Sequence, residues 1–242
     1  MHRSLRRTVR SLRAEARVDQ RGDAGRVRGT VLLYLERPDR VRFDAMTQFG
    51  PAAVLTSDGD HFQLLDHREE RFIEGEACPE NIARLLGIHM SGPEVAHFLV
   101  GDTPRLEAED VSLACSSEGY LVIRTAPDGR RQEIVLTARE ADHDAPPEAQ
   151  HLRLVRSELF DVHGETIWRA TYDDYRVVRD PGDAEGRGVA LPFVLRFEDP
   201  VRGADTMVRF KDMSIVVEPA ADEVFQQRTP PGMRAETIMC GG

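Results

Sequence analysis

Strict alternation of apolar and other residues is the feature that most constrains the fold of this chain. Between positions 191 and 197 every second residue is large and apolar. Successive side chains of a β-strand point to opposite faces, so this period predicts a strand with one apolar face. The same period recurs near the start of the chain. The apolar positions of these segments are Val31, Leu33, Leu35, Val41, Phe43, Leu191, Phe193, Leu195 and Phe197.

Turn residues divide the chain into many short strands. Gly and Asp clusters such as Ser57-Asp58-Gly59 and Pro127-Asp128-Gly129 favour hairpins. We count about ten or eleven strands, which is too many for a flat open sheet, so the sheet must curl. The spacing of apolar residues changes to a helical period over residues 79–101, which predicts two short helices. Leu5, Val9 and Leu12 have the same helical spacing and predict an N-terminal helix over about 3–13. We expect one mainly β domain over residues 1–242, with the middle helices covering the concave face.

Composition narrows the class of function. The chain has 242 residues, a net charge of −10 and 40% hydrophobic residues. The excess of acidic over basic residues argues against a nucleic-acid partner, because binding to phosphates needs a basic surface. A membrane-spanning helix needs about 18 consecutive apolar residues, and the sequence contains no such run. The sequence also lacks GxSxG, HExxH, P-loop and GxGxxG patterns, so we expect no enzyme, no metal site and no cofactor.

The cysteines and the N-terminus leave alternatives open. Cys78, Cys115 and Cys240 do not have the spacing of a metal site, and they fit either one disulfide with a spare thiol or three separate thiols. The first residues lack the apolar core of a signal peptide. The chain therefore has either a cytoplasmic start or an export signal replaced at Met1.

Residues 42–104 resemble the LolA/LolB family of lipoprotein carriers and receptors, and are closer to LolB. The shared features occur in order: Phe49-Gly50 after a strand, Phe62–Asp66 after a turn, the helix at 80–87, the segment 95–101, and Pro104. Two turns, Arg37-Pro38 and Ser57-Asp58-Gly59, are more similar to LolA.

The resemblance implies a fold and a role. The family fold is an incomplete antiparallel β-barrel, with a helical lid over a hydrophobic cavity that holds the acyl chains of a lipoprotein. It implies that Phe49 contacts the membrane and that Arg37 holds the lid. It also implies a non-enzymatic, monomeric protein of the periplasm, with an acylated lipoprotein or lipid and the outer-membrane surface as partners and with a lipid anchor as an option. The cavity lining would be the nine alternating residues above together with Leu85 and Phe98.

Each of these roles has an alternative. The alternating residues form the core of any β protein, and the helices could simply pack on the sheet. Phe49 could be an isolated surface residue, and Arg37 an ordinary turn residue. The same fold could also serve as a non-catalytic sensor or scaffold domain of an envelope complex.

Overall fold

The computed structural model describes residues 9–22, 25–142, 144–145, 151–182 and 188–241. Fourteen strands and two α-helices make up this part of the chain. The first six strands are β1 Ser11–Gly22, β2 Gly25–Glu36, β3 Arg40–Thr47, β4 Gly50–Ser57, β5 His61–Asp66 and β6 Arg71–Glu76. The helices follow as α1 Pro79–Leu86 and α2 Gly92–Leu99. The remaining strands are β7 Asp110–Ser116, β8 Gly119–Thr125, β9 Arg131–Thr137, β10 Arg153–Phe160, β11 Thr166–Arg179, β12 Gly188–Asp199, β13 Ala204–Val216 and β14 Ala235–Ile238.

All fourteen strands belong to one sheet. Their order is β14-β6-β5-β4-β3-β2-β1-β13-β12-β11-β10-β9-β8-β7, and only the β14–β6 pair is parallel. The two ends of the sheet, β14 and β7, do not pair with each other. The predicted fold class is therefore confirmed as a mainly β, incomplete barrel with a helical lid. No helix in the described ranges is long and apolar enough to cross a membrane.

Cross-strand register builds one apolar inner face. Leu33 of β2 lies opposite Ala14 on one side and Phe43 on the other. Leu195 of β12 lies opposite Tyr172 and Val208. Directly opposed side chains project from the same face of a sheet, so these rows join into a continuous surface. The buried residues of this face and of the helices form a single hydrophobic cluster.

The predicted N-terminal helix is wrong where the structure can be compared with it. Residues 3–8 lie outside the described residues, and Ser11 onwards is strand β1, paired with both β2 and β13. Leu12 fits the helical spacing that we used, but Leu12, Ala14, Ala16 and Val18 also alternate and are buried. Pairing on both sides satisfies the backbone of this segment, which outweighs a short helical pattern.

The C-terminal tail is more regular than its sequence indicates. It crosses the outer face, where Phe225 stacks on Tyr34 with ring centroids 5.4 Å apart. The Gln227 side chain then donates hydrogen bonds to β4 and β5, and the chain ends as β14 beside β6. With β1 and β14 included, the sheet has more strands than the ten or eleven that we counted.

The structure resolves the cysteine alternatives in favour of one disulfide. Cys78, directly before α1, is bonded to Cys240 in the tail. Cys115 is free and exposed on β7. Within the described ranges, no group of three or more His, Cys, Asp or Glu side chains is placed to hold a metal ion.

Candidate functional site

Local sequence signals fix where the two lid helices begin and end. Proline opens both helices near their first turn, where its missing N–H costs nothing. Gly87 ends α1 with a left-handed backbone at φ 64°. Ser91 and Glu94 form a capping box at the start of α2. These signals restrict each helix to eight residues, so the pair forms a short lid and not a separate layer.

The lid packs its apolar side onto the inner face of the sheet. Phe98 of α2 has its ring centroid 5.7 Å from Tyr172 and 6.0 Å from Phe197. The other buried apolar lid residues with large side chains are Ile82, Leu86, Val95 and Leu99. Tyr172 and Phe197 belong to β11 and β12, whereas α2 also contacts β3 and α1 contacts β4, so the lid covers strands from both halves of the sheet.

The structure brings the predicted lining residues together. Val31, Leu33, Leu35, Val41, Phe43, Phe98, Leu191, Phe193, Leu195 and Phe197 all belong to the hydrophobic cluster, and none is more than 7% exposed. Leu85 is only partly buried and packs against the margin of the cluster. Several of these residues have no solvent-accessible surface, and they form one cluster with the buried side chains of the lid. The inner face is therefore filled and closed to solvent in this structure.

Hydrogen bonds fix the lid to the sheet. The Thr206 hydroxyl donates to Leu86 O at the end of α1, over 2.8 Å. The Tyr172 hydroxyl donates to Asp102 O just beyond α2, over 3.0 Å. Both bonds are directed at backbone carbonyls near helix ends, where helices leave acceptors unsatisfied. Lid movement must break them.

Arg37 lies beside the lid. Its Nη2 is 3.3 Å from His97 Nδ1 on α2, and the same His97 nitrogen is 3.3 Å from Asp102 Oδ2. Burial on its own raises the pKa of the Asp102 carboxyl, but hydrogen bonds with His97 and the Thr103 N–H outweigh it, so the pKa lies below its ordinary value. A lowered pKa stabilises the fold at neutral pH, and this contribution is lost as pH falls through the folded-state pKa. A cleft of 330 Å³ opens beside His97 and Asp102.

Phe49 stands at the turn between β3 and β4 with 90% of its surface exposed. Thr47 holds the turn, because its hydroxyl donates to Gly50 O and accepts the Phe49 N–H. Alternate hairpins of an antiparallel sheet lie at the same end, so the β10–β11 and β12–β13 turns share this rim. Each of them carries an exposed valine, Val162 and Val201. Val162 and Val201 are not identified from the sequence. The pattern that could have revealed them is a large apolar residue within a predicted turn.

Comparison with solved structures identifies the architecture. A DUF1329 family protein from Desulfovibrio piger matches with a TM-score of 0.56 and 12% identity, covering 91% of this chain and 91% of its own. A LolA superfamily protein from Nitrosomonas europaea matches with a TM-score of 0.51 and 12% identity, covering 90% and 91%. The fold is LolA-like. Identity this low shows the fold alone. No family model matches the sequence, and no curated protein matches it.

Proposed function

We propose that this protein binds the acyl chains of a lipoprotein or lipid beneath its two-helix lid and transfers or receives them at the outer membrane. The observation that carries the proposal is the apolar inner face, which continues across the sheet and is covered by two eight-residue helices and the short segment between them. The LolA-like fold supports it. The arrangement needs no catalytic group, and the proposed role is non-enzymatic.

The free energies of acyl-chain burial and of lid opening favour reversible binding. Burying an acyl chain of about 16 carbons contributes roughly 12 kcal/mol, at about 0.8 kcal/mol per methylene. Lifting the lid exposes five large apolar side chains of the helices together with Ile88 and Met90 between them, at a cost of roughly 10–21 kcal/mol at about 1.5–3 kcal/mol each. The two terms are of similar size, so cargo replaces lid packing without becoming trapped.

The disulfide supports a location in the periplasm. Bonds such as Cys78–Cys240 persist in oxidising compartments and are rare in the cytosol of mesophiles. A lipid-anchored native form is compatible with this location.

Mass spectrometry tests the proposal directly. The organic extract of the purified protein is analysed beside its native mass, before and after incubation with a triacylated peptide. We expect a stoichiometric acyl-bearing species in the extract or after incubation. A clean apo mass together with no uptake would refute the carrier role.

The complete burial of the inner face favours one other function. With no solvent-accessible surface on residues such as Leu195 and Phe197, the fold could act as a non-catalytic scaffold or sensor of an envelope complex. A scaffold would carry no lipid, and substitution of Phe193 would weaken binding of its protein partner. The same mass measurement separates the two functions.

Phe49→Glu tests the membrane contact. We expect the variant to fold and to take up soluble acyl peptide normally, but to deliver it to lipid vesicles more slowly, because a carboxylate at the rim opposes insertion. Val177→Glu is the matched control, since Val177 is 72% exposed near the opposite end of the sheet. Equal delivery by both variants would remove Phe49 from the membrane contact.

Arg37→Ala tests the lid contact. Hydrogen bonds to charged groups contribute about 1.5–3 kcal/mol, so we expect amide exchange in α2 to accelerate roughly tenfold or more. Uptake of acyl peptide should tighten, because the closed lid competes with cargo. Arg40→Ala is the control, since Arg40 lies at the same turn but pairs with Glu36 and Asp222. Unchanged exchange in Arg37→Ala would exclude a lid role.

A further inference from the structure

Strand β7 leaves one edge of the sheet uncovered. It is last in the strand order and pairs only with β8 within the described ranges. All seven of its residues are exposed. The opposite edge is protected, because β14 has four residues and is followed by the disulfide at Cys240. An open edge presents unpaired N–H and C=O groups to any other strand.

The side chains of β7 do not protect this edge. Natural edge strands are usually blocked by charges or proline, yet the only charge in β7 is Asp110 at its first position, and the six residues after it include neither. Val111 is 52% exposed and Leu113 is 69% exposed. Leu113 lies opposite Val122, which packs against the hydrophobic cluster, so these side chains continue the apolar inner face to the edge.

The five central residues of β7, Val111–Cys115, are arranged symmetrically about Leu113. Reading outward, Ser112 and Ala114 are both small, and Val111 and Cys115 are both apolar. We propose that β7 pairs antiparallel with β7 of a second copy of this chain, with Leu113 opposite Leu113 on a two-fold axis. Val111 then faces Cys115 of the other copy, and Ser112 faces Ala114. This departs from the monomer expected from the sequence.

Charge keeps this association weak and dependent on salt. Glu109 precedes the strand, Asp110 is its first residue, and each chain carries a net charge of −10. Screening reduces repulsion between exposed like charges. We therefore expect a reversible dimer whose population rises with protein concentration and with ionic strength.

Val111→Cys tests the register covalently. Directly opposed residues of antiparallel strands have Cα atoms about 4.5–5.5 Å apart, which suits a disulfide. The new cysteine would face Cys115 of the second copy. Residues 111 and 115 of one chain are about 13 Å apart at about 3.3 Å per residue, so they cannot bond within a strand. We expect a covalent dimer under mild oxidation, with 111–115 linkages found by peptide mapping.

Two controls share this geometry. In the proposed register the two Cys115 residues of a dimer lie about 13 Å apart, so the wild type should not cross-link. Val111→Cys combined with Cys115→Ser should not cross-link either. Efficient cross-linking of the wild type, or none in Val111→Cys, would overturn the proposal.

Leu113→Lys tests the same edge without cysteine chemistry. A charge at the centre of the pairing should abolish the concentration-dependent dimer in sedimentation velocity. Val217→Lys, at an exposed site just after the end of β13, should leave the dimer unchanged. A wild-type protein that remains monomeric at high concentration and high salt would refute the inference, as would a dimer that persists in Leu113→Lys.

Discussion

Replacing Phe98 with alanine is expected to lower the free energy of unfolding by about 3–5 kcal/mol, the usual loss for a buried aromatic side chain. Phe98 has no exposed surface and lies between Tyr172 and Phe197. Chemical denaturation measures the loss. The variant also leaves a space beneath the lid, so we expect it to bind acyl peptide more tightly than the wild type.

Phe49→Ala is the matched control, because it removes the same side chain from an exposed turn. Its stability should change by less than about 0.5 kcal/mol. If Phe98→Ala unfolded at the wild-type denaturant concentration, the lid would not pack as described. A destabilised variant with no gain in acyl binding would argue that the lid does not cover the cargo site.

Alternation of apolar residues predicts the core strands of this fold well, but it predicts the first and last strands of the chain poorly. The period over 191–197 places Leu195 and Phe197 on the inner face, as found, because burial on one side of a twisted sheet demands that period. The helix predicted at the start of β1 is wrong, because Leu12 fits both the helical and the strand period and only its pairing partners decide between them. Strand β14 has four residues and pairs in parallel with β6, so no local pattern predicts it.

Some parts of the candidate site can likewise be predicted from the sequence, and others cannot. The buried residues of the inner face follow from alternation, and the lid helices follow from local signals such as Gly87 and Ser91. Whether the inner face is open or filled depends on how closely Phe98 approaches the sheet, and alternation is the same in both cases. The proximity of Arg37 to His97 joins residues 60 positions apart, which only the three-dimensional structure could reveal.

Cys240→Ser is expected to lower the free energy of unfolding by about 2–5 kcal/mol, because the Cys78–Cys240 bond closes a loop across 162 positions of sequence. The bond also holds the tail against β6 and fixes the chain directly before α1. Chemical denaturation measures the loss, and reduction of the wild type should reproduce it. Cys115→Ser is the control, since this thiol is free and exposed, and it should shift stability by less than about 0.5 kcal/mol.

The Cys240→Ser variant also distinguishes an effect on global stability from an effect on opening of the lid. Loss of the disulfide should accelerate amide exchange in β14 and in the first turn of α1, since both are next to the bond. Exchange in β12, at the centre of the sheet, should follow only the change in global stability. Full stability in both Cys240→Ser and the reduced wild type would mean that tail pairing holds without the bond. Faster exchange in α1 together with tighter acyl binding would instead show that the tail limits how far the lid opens.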